Sequence, residues 1–172
     1  MTLRLNLASG TDIRDGWINL DIVPKWPLAK RGCEILWDAR TQPIPYGDET
    51  VDEIYAGYLL LHLAPQYHPG VLKEIRRVIK PNTFVVFGEV DMDVVMRRYL
   101  ENPYNHSCSQ LIWGEQGELH GDELMDFDKH CQGFTEATLR STLEGAGFSV
   151  VERFKVHSED VWYELTLRAI KS

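Results

Sequence analysis

The chain has 172 residues, 44% of them hydrophobic and 26% charged, with a formal net charge of −8. These values fit one globular domain over residues 1–172 with a sizeable core, and the acidic balance excludes a general nucleic-acid binder, which needs a basic face. No apolar run reaches the length of a membrane span and no secretory signal opens the sequence. Cys33, Cys108 and Cys131 lack a disulfide framework spacing, so a cytoplasmic protein with no membrane association is expected.

Leu3, Leu5 and Leu7 alternate with Arg4 and Asn6, which predicts a short strand. Ala8-Ser9-Gly10 supplies small residues for a turn, and Ile18, Leu20 and Ile22 make a second alternation with Asp21 near its end. A strand, a small-residue turn and a second strand with a terminal acid are the parts of a nucleoside-cofactor site. The turn lets backbone approach the ligand and the acid accepts hydrogen bonds from ribose hydroxyls. Pro24 and Pro27 break the next stretch, leaving room for no more than a helical turn before a third strand, Cys33 to Asp38. Thr41 to Thr50 reads as a loop, Val51 to Ala56 as a fourth strand ended by Gly57-Tyr58, and Leu59 to Leu63 fits either a strand end or a helix start.

His68-Pro69-Gly70 opens a helix with Val71, Ile75, Val78 and Ile79 on one face, and Pro81-Asn82 is expected to stop it. Thr83 to Phe87 has the β-branched and aromatic run of a strand buried on both faces. Asp93 is expected to cap a helix through Leu100, with Asp91 the other candidate for that cap, after which residues 102–133 lack periodicity. A stretch that long is read as a lid or substrate segment. Thr135 is the expected N-cap of a last helix ending near Gly147, and Phe148 to Val156 and Val161 to Ile170 form a closing antiparallel pair. Strands alternating with crossovers imply an α/β fold with a mainly parallel sheet.

In order along the chain, Leu5-Asn6-Leu7-Ala8-Ser9-Gly10, Gly16 to Ile22, Pro43-Ile44-Pro45-Tyr46 with Thr50-Val51-Asp52, Leu61-His62-Leu63, Leu72 to Pro81, and Phe134-Thr135 to Gly147-Phe148 resemble the class I S-adenosylmethionine (SAM) dependent methyltransferases, in a small branch related to the Methyltransf_11 group. The resemblance implies a Rossmann-like sheet, mainly parallel with an antiparallel final strand, helices on both faces and a minimal N-terminus. It implies SAM as cofactor, held by Asn6, Ala8, Ser9, Gly10, Asp21, Ile22, Asp38, Ala39, Gly57 and Tyr58. The first turn would take the methionine end, Asp21 the ribose, Asp38 and Ala39 the adenine, and Gly57 and Tyr58 would border the methyl group. The reaction implied moves the methyl to an O or N atom of a small polar or sugar-like acceptor.

The chain departs from the family pattern where Ala8 and Asp12 hold glycine places, where Gly10 to Asp21 is too short for a full helix, and where Lys80-Pro81-Asn82-Thr83 replaces a glycine turn. These departures motivate an alternative, a non-catalytic module of the same fold acting in partner binding, and leave room for a homodimer or partner covering the cofactor site. A nicotinamide oxidoreductase fits worse, because the turn lacks a full GxGxxG.

His62, Glu89, Asp91 and Trp113 are the candidate substrate contacts. His62 invites a general-base role, against anchoring a helix start. Glu89 and Asp91 could bind a polar group, and Trp113 could line a pocket or seal the lid. His106, Cys108, His120, His130 and Cys131 include zinc-ligand types without paired spacing, so no metal site is expected.

Overall fold

The computed structural model describes residues 2–114, 128–154 and 162–171. Seven strands form one sheet: β1 (Arg4–Leu7), β2 (Ile18–Asp21), β3 (Ile35–Leu36), β4 (Glu53–Gly57), β5 (Phe84–Val90), β6 (Phe148–Phe154) and β7 (Glu164–Lys171), in the order β3-β2-β1-β4-β5-β7-β6. β1 to β5 pair in parallel, and β7 lies antiparallel between β5 and β6. The order reverses beside β1, and there the carboxyl ends of β1, β2 and β4 open a crevice.

Four helices accompany the sheet among the described residues: α1 (His68–Val78), α2 (Met92–Glu101), α3 (His106–Trp113) and α4 (Glu136–Gly145). On α1, Val71, Leu72, Ile75 and Val78 are buried, the stripe that a period of 3.6 sets on one face. They join Leu5, Leu7, Ile54, Val85 and Phe87 in the main core. Thr135 caps α4, its hydroxyl accepting from Thr138 N–H while Thr138 Oγ1 accepts from Thr135 N–H in return.

Several sequence expectations change, among them the third strand, which shrinks to Ile35–Leu36. α1 ends at Val78, short of Pro81, because Ile79 turns extended and bridges Val51 beside the sheet. Asp91 rather than Asp93 is the N-cap of α2, its carboxylate accepting from Asp93 N–H at 3.1 Å. α3 lies inside the stretch read as irregular; Asn105 caps it, and only Cys108 of its eight residues is buried, so it leaves little periodic trace. β5 runs on through Val90, which places Glu89 within the strand.

No helix connects β1 to β2. Buried side chains hold that link instead. Asn6 Nδ2 donates to the Asp12 carbonyl and to Asn19 Oδ1, and Asn19 Oδ1 also accepts from Arg14 N–H. Asn19 Nδ2 reaches the Arg14 and Trp17 carbonyls and Glu34 Oε2. Each amide satisfies loop groups that would otherwise be unpaired beside the core.

Candidate functional site

The turn after β1 is built for close approach. Ala8 and Gly10 both have φ near +52°, so the backbone reverses within three residues, and Ala8 does so without the freedom of glycine. Ser9 N–H donates to the Leu20 carbonyl, tying the turn to β2. The Ser9 hydroxyl is buried and has no hydrogen-bond partner among the described residues. Opposite the turn, Asp21 Oδ2 accepts from Gly10 N–H at 2.7 Å, while Oδ1 accepts from Val23 N–H at 2.8 Å and from the Trp26 indole at 3.1 Å.

After β3, Asp38 lies in a bidentate pair with Arg40, at 2.9 Å for each contact. That hydrogen bonding holds the Asp38 carboxyl below the usual carboxylate range. At the end of β4, Tyr55 folds back over Gly57, where a Cβ would lie 2.5 Å from the Tyr55 ring. The Arg14 guanidinium covers the other part of the ring, 3.3 Å from its centroid. Burial pushes the Tyr55 phenol up to about 12 and raises that of Tyr58 as well. Tyr58 itself is left-handed, φ +56°, with its N–H on the Gly88 carbonyl at 2.6 Å. Strain of this kind persists only where the surroundings over-determine it.

The turn from Leu59 to Leu63 then carries His62. Its polar backbone is satisfied from beneath: Glu89 accepts from Leu60 and Leu61 N–H, and His68 Nε2 donates to the Leu60 and Leu63 carbonyls. Residues 128–132 run alongside, with Cys131 N–H on the Leu61 carbonyl at 2.7 Å. His62 Nδ1 meets the Lys129 carbonyl at 3.2 Å. A carbonyl only accepts, so Nδ1 carries the proton and Nε2 the lone pair. Burial, then the neighbouring His130 ring 5.0 Å away, push the His62 imidazole down to about 4, so it is neutral at pH 7.

These parts enclose one cleft of about 460 Å³ at the carboxyl ends of the parallel strands. All ten residues expected to hold the cofactor line it, as does His62. Glu89, Asp91 and Trp113 do not. Glu89 is spent on the turn beneath; Asp91 caps α2 and pairs with Arg153 at 2.7 Å; Trp113 stands 60% exposed on α3. The lining also includes Asp12, Trp26, Trp37, Arg40, Tyr55, Asp128 and Tyr163, which tertiary contact brings in and local pattern does not announce. Among the described residues of 102–133, Asp128 alone reaches the cleft, and His120 lies outside the described residues. No group of three metal-ligating side chains occurs among the described residues.

The charged lining is Asp12, Asp21, Asp38 and Asp128 against Arg40, which favours a ligand carrying positive charge. With a buried unpaired hydroxyl, a turn of small residues and aromatic side chains in its lining, the cleft can take a cationic nucleoside.

The methyltransferase-domain family model (Methyltransf_23) matches residues 18–153. No curated protein matches the sequence. Among solved structures, a SAM-dependent methyltransferase of Methanosarcina mazei is similar at 18% identity and a TM-score of 0.62, covering 98% of this chain and 91% of that one. The 1,6-didemethyltoxoflavin-N1-methyltransferase of Burkholderia thailandensis, with 1,6-didemethyltoxoflavin and S-adenosylhomocysteine bound, is similar at 16% and 0.63, covering 99% and 72%. A Haloferax volcanii complex of the Trm112 methyltransferase activator and a methyltransferase is similar at 15% and 0.61, covering 98% and 82%. At these identities the likeness is one of fold.

Proposed function

This chain belongs to the methyltransferase-domain family, and we propose that it is an active SAM-dependent enzyme that methylates an O or N atom of a small polar acceptor. The observation that carries the reading is the convergence of all ten cofactor candidates on one acid-lined cleft, with the Ser9 hydroxyl buried there and unpartnered. A buried polar atom without a partner calls for one, and a ligand in this cleft would supply it.

In this reading Ala8, Ser9 and Gly10 face the methionine end, Asp21 the ribose, and Asp38 with Ala39 the adenine, with Ile22 and Asn6 beside them. SAM, when bound, supplies an electrophilic methyl group on a sulfonium that leaves readily. The protein's task is then to hold the acceptor in line with that methyl. In this reading the acceptor faces Tyr58, Leu59, His62, Leu63, Asp128 and Tyr163, all of them in the cleft lining. His62 offers a neutral Nε2 lone pair 4.0 Å from Asp128 Oδ1, suited to accept a hydrogen bond from the acceptor's O–H or N–H. The Burkholderia N1-methyltransferase, with 1,6-didemethyltoxoflavin and S-adenosylhomocysteine bound, supports this class of substrate.

No helix among the described residues is long and apolar enough to cross a membrane, and all three cysteines are unpaired, which supports work in the cytoplasm. A second copy or another protein over the cleft mouth remains part of the proposal, given an activator partner in the Haloferax complex.

Isothermal calorimetry with SAM and S-adenosylhomocysteine tests the reading. Both are expected to bind wild type, and Asp21→Ala to weaken them at least about tenfold, the loss of a charge-assisted hydrogen bond. Absence of binding to wild type would sink it.

A further inference from the structure

Asp21 is already well supplied with donors. Oδ2 accepts from Gly10 N–H, and Oδ1 accepts from Val23 N–H and the Trp26 indole. A carboxylate offers about four acceptor positions, two on each oxygen. Oδ1 is therefore full, and Oδ2 keeps one position. A ribose presents two adjacent hydroxyls, and one position cannot serve both.

The three donors differ in kind. Gly10 and Val23 give backbone N–H groups that the two turns fix in place. The Trp26 donor belongs to a side chain, held between Pro24 and Pro27 and packed with Ile13, Val23 and Ala29 in a small cluster apart from the main core. Trp26 is 9% exposed and forms part of the cleft wall. The indole nitrogen points at Asp21, the acid that faces the ribose in the nucleoside reading.

We propose that Trp26 is a specificity-determining residue of the cofactor site: by occupying Asp21 Oδ1 it restricts Asp21 to one ribose hydroxyl. The proposal rests on the nucleoside reading of the cleft. Its consequence is that this enzyme accepts an adenosyl ligand lacking the other hydroxyl, where a free carboxylate would read both.

Calorimetry with S-adenosylhomocysteine and its 2′-deoxy and 3′-deoxy forms is the test, on wild type and on Trp26→Phe, which keeps an aromatic ring and removes the N–H. Wild type is expected to lose about tenfold or more in affinity for one deoxy form and less than about twofold for the other. Trp26→Phe is expected to bind the parent ligand about tenfold tighter and to lose affinity for both deoxy forms. In wild type the Trp26 indole 15N–1H resonance, identified by its absence in the variant, is expected to stay protected from solvent exchange at saturating ligand. Loss for both deoxy forms in wild type, an unchanged affinity in Trp26→Phe, or a freed indole resonance would each overturn the proposal alone. No binding of S-adenosylhomocysteine to either protein would overturn the nucleoside reading and this inference with it. The wild-type comparison needs no variant, so it decides the matter even where Trp26→Phe does not fold.

Discussion

Glu89→Gln makes the energetic cost of the turn beneath the cleft measurable. Glu89 is fully buried in β5, where it accepts from Leu60 N–H at 3.0 Å and from Leu61 N–H at 3.2 Å. Burial pushes its carboxyl from 4.5 up to about 8, against the lowering by those two N–H groups. The unfolded chain ionises near 4.5 and the folded one holds its proton to about 8, so the folded state binds more protons between those values. Stability contributed below the unfolded value is therefore lost as pH rises through this window. At 1.36 kcal/mol per unit, the loss totals about 4–5 kcal/mol, a slope approaching 1.4 kcal/mol per pH unit. Glutamine keeps the shape and does not titrate. Its amide serves one N–H and faces the other with a donor, a fixed penalty of about 1–3 kcal/mol at every pH. Urea unfolding of both proteins from pH 4.5 to 8.5 separates the two effects: the penalty sets the offset between the curves, and titration sets the change in that offset. The variant is expected to gain on wild type steadily as pH rises. Curves that stay parallel would refute the reasoning, because they would mean a carboxylate ionised in the fold and fully compensated by its two N–H donors.

His62→Gln is expected to act in the opposite sense. The folded imidazole sits near 4 against an ordinary 6.5, so wild type loses stability as pH falls from 6.5 toward 4, by up to about 3 kcal/mol, and the variant does not; the same urea series reads it. Between pH 4.5 and 6.5 the two slopes oppose each other, so wild type alone looks flatter than either cause. Gly57→Ala is expected to cost about 1–3 kcal/mol by denaturation, because its Cβ meets a Tyr55 ring that Arg14 holds from above, and to cost less in a Tyr55→Leu background. Ala8→Gly is expected to raise stability by about 0.5–1 kcal/mol in the same assay, since φ +52° strains alanine and not glycine.

The sequence is informative where one residue's environment repeats at a fixed period. The alternation around Leu5 and Leu7, the stripe of α1 and the cap at Thr135 are local features, and each led to the element observed. The end of α1 was not legible, because a bridge to Val51, far back in the chain, decides it. α3 escaped because burying one residue in eight leaves no stripe. Glu89 escaped for a different reason. A charge in an apolar run argues against a buried strand unless donors are waiting for it, and those donors are backbone groups some thirty residues earlier. The same division runs through the site. Ala8 to Gly10, Asp21 and Gly57 sit at strand ends that local pattern locates, whereas Trp26, Asp128 and Tyr163 reach the cleft through chain packing.

The two shortened crossovers explain why so many polar side chains are buried at one edge of this sheet. A helix between parallel strands satisfies its own backbone and covers the sheet face at once. Neither the β1–β2 link nor the β2–β3 link is helical, so their backbone groups need partners from elsewhere. Asn6 and Asn19 supply them for residues 12–17, Glu34 accepts from Asn19 in turn, and Asp21 supplies them for Gly10 and Val23. Asp21 thus holds two turns together and also faces the cleft. A substitution there is expected to loosen both turns as well as remove a ligand contact. Asp21→Asn keeps one acceptor oxygen, so the difference between its effect and that of Asp21→Ala measures how much of the acid's role is turn-holding. If ligand contact were its whole role, thermal melts of the two unliganded variants would coincide with wild type.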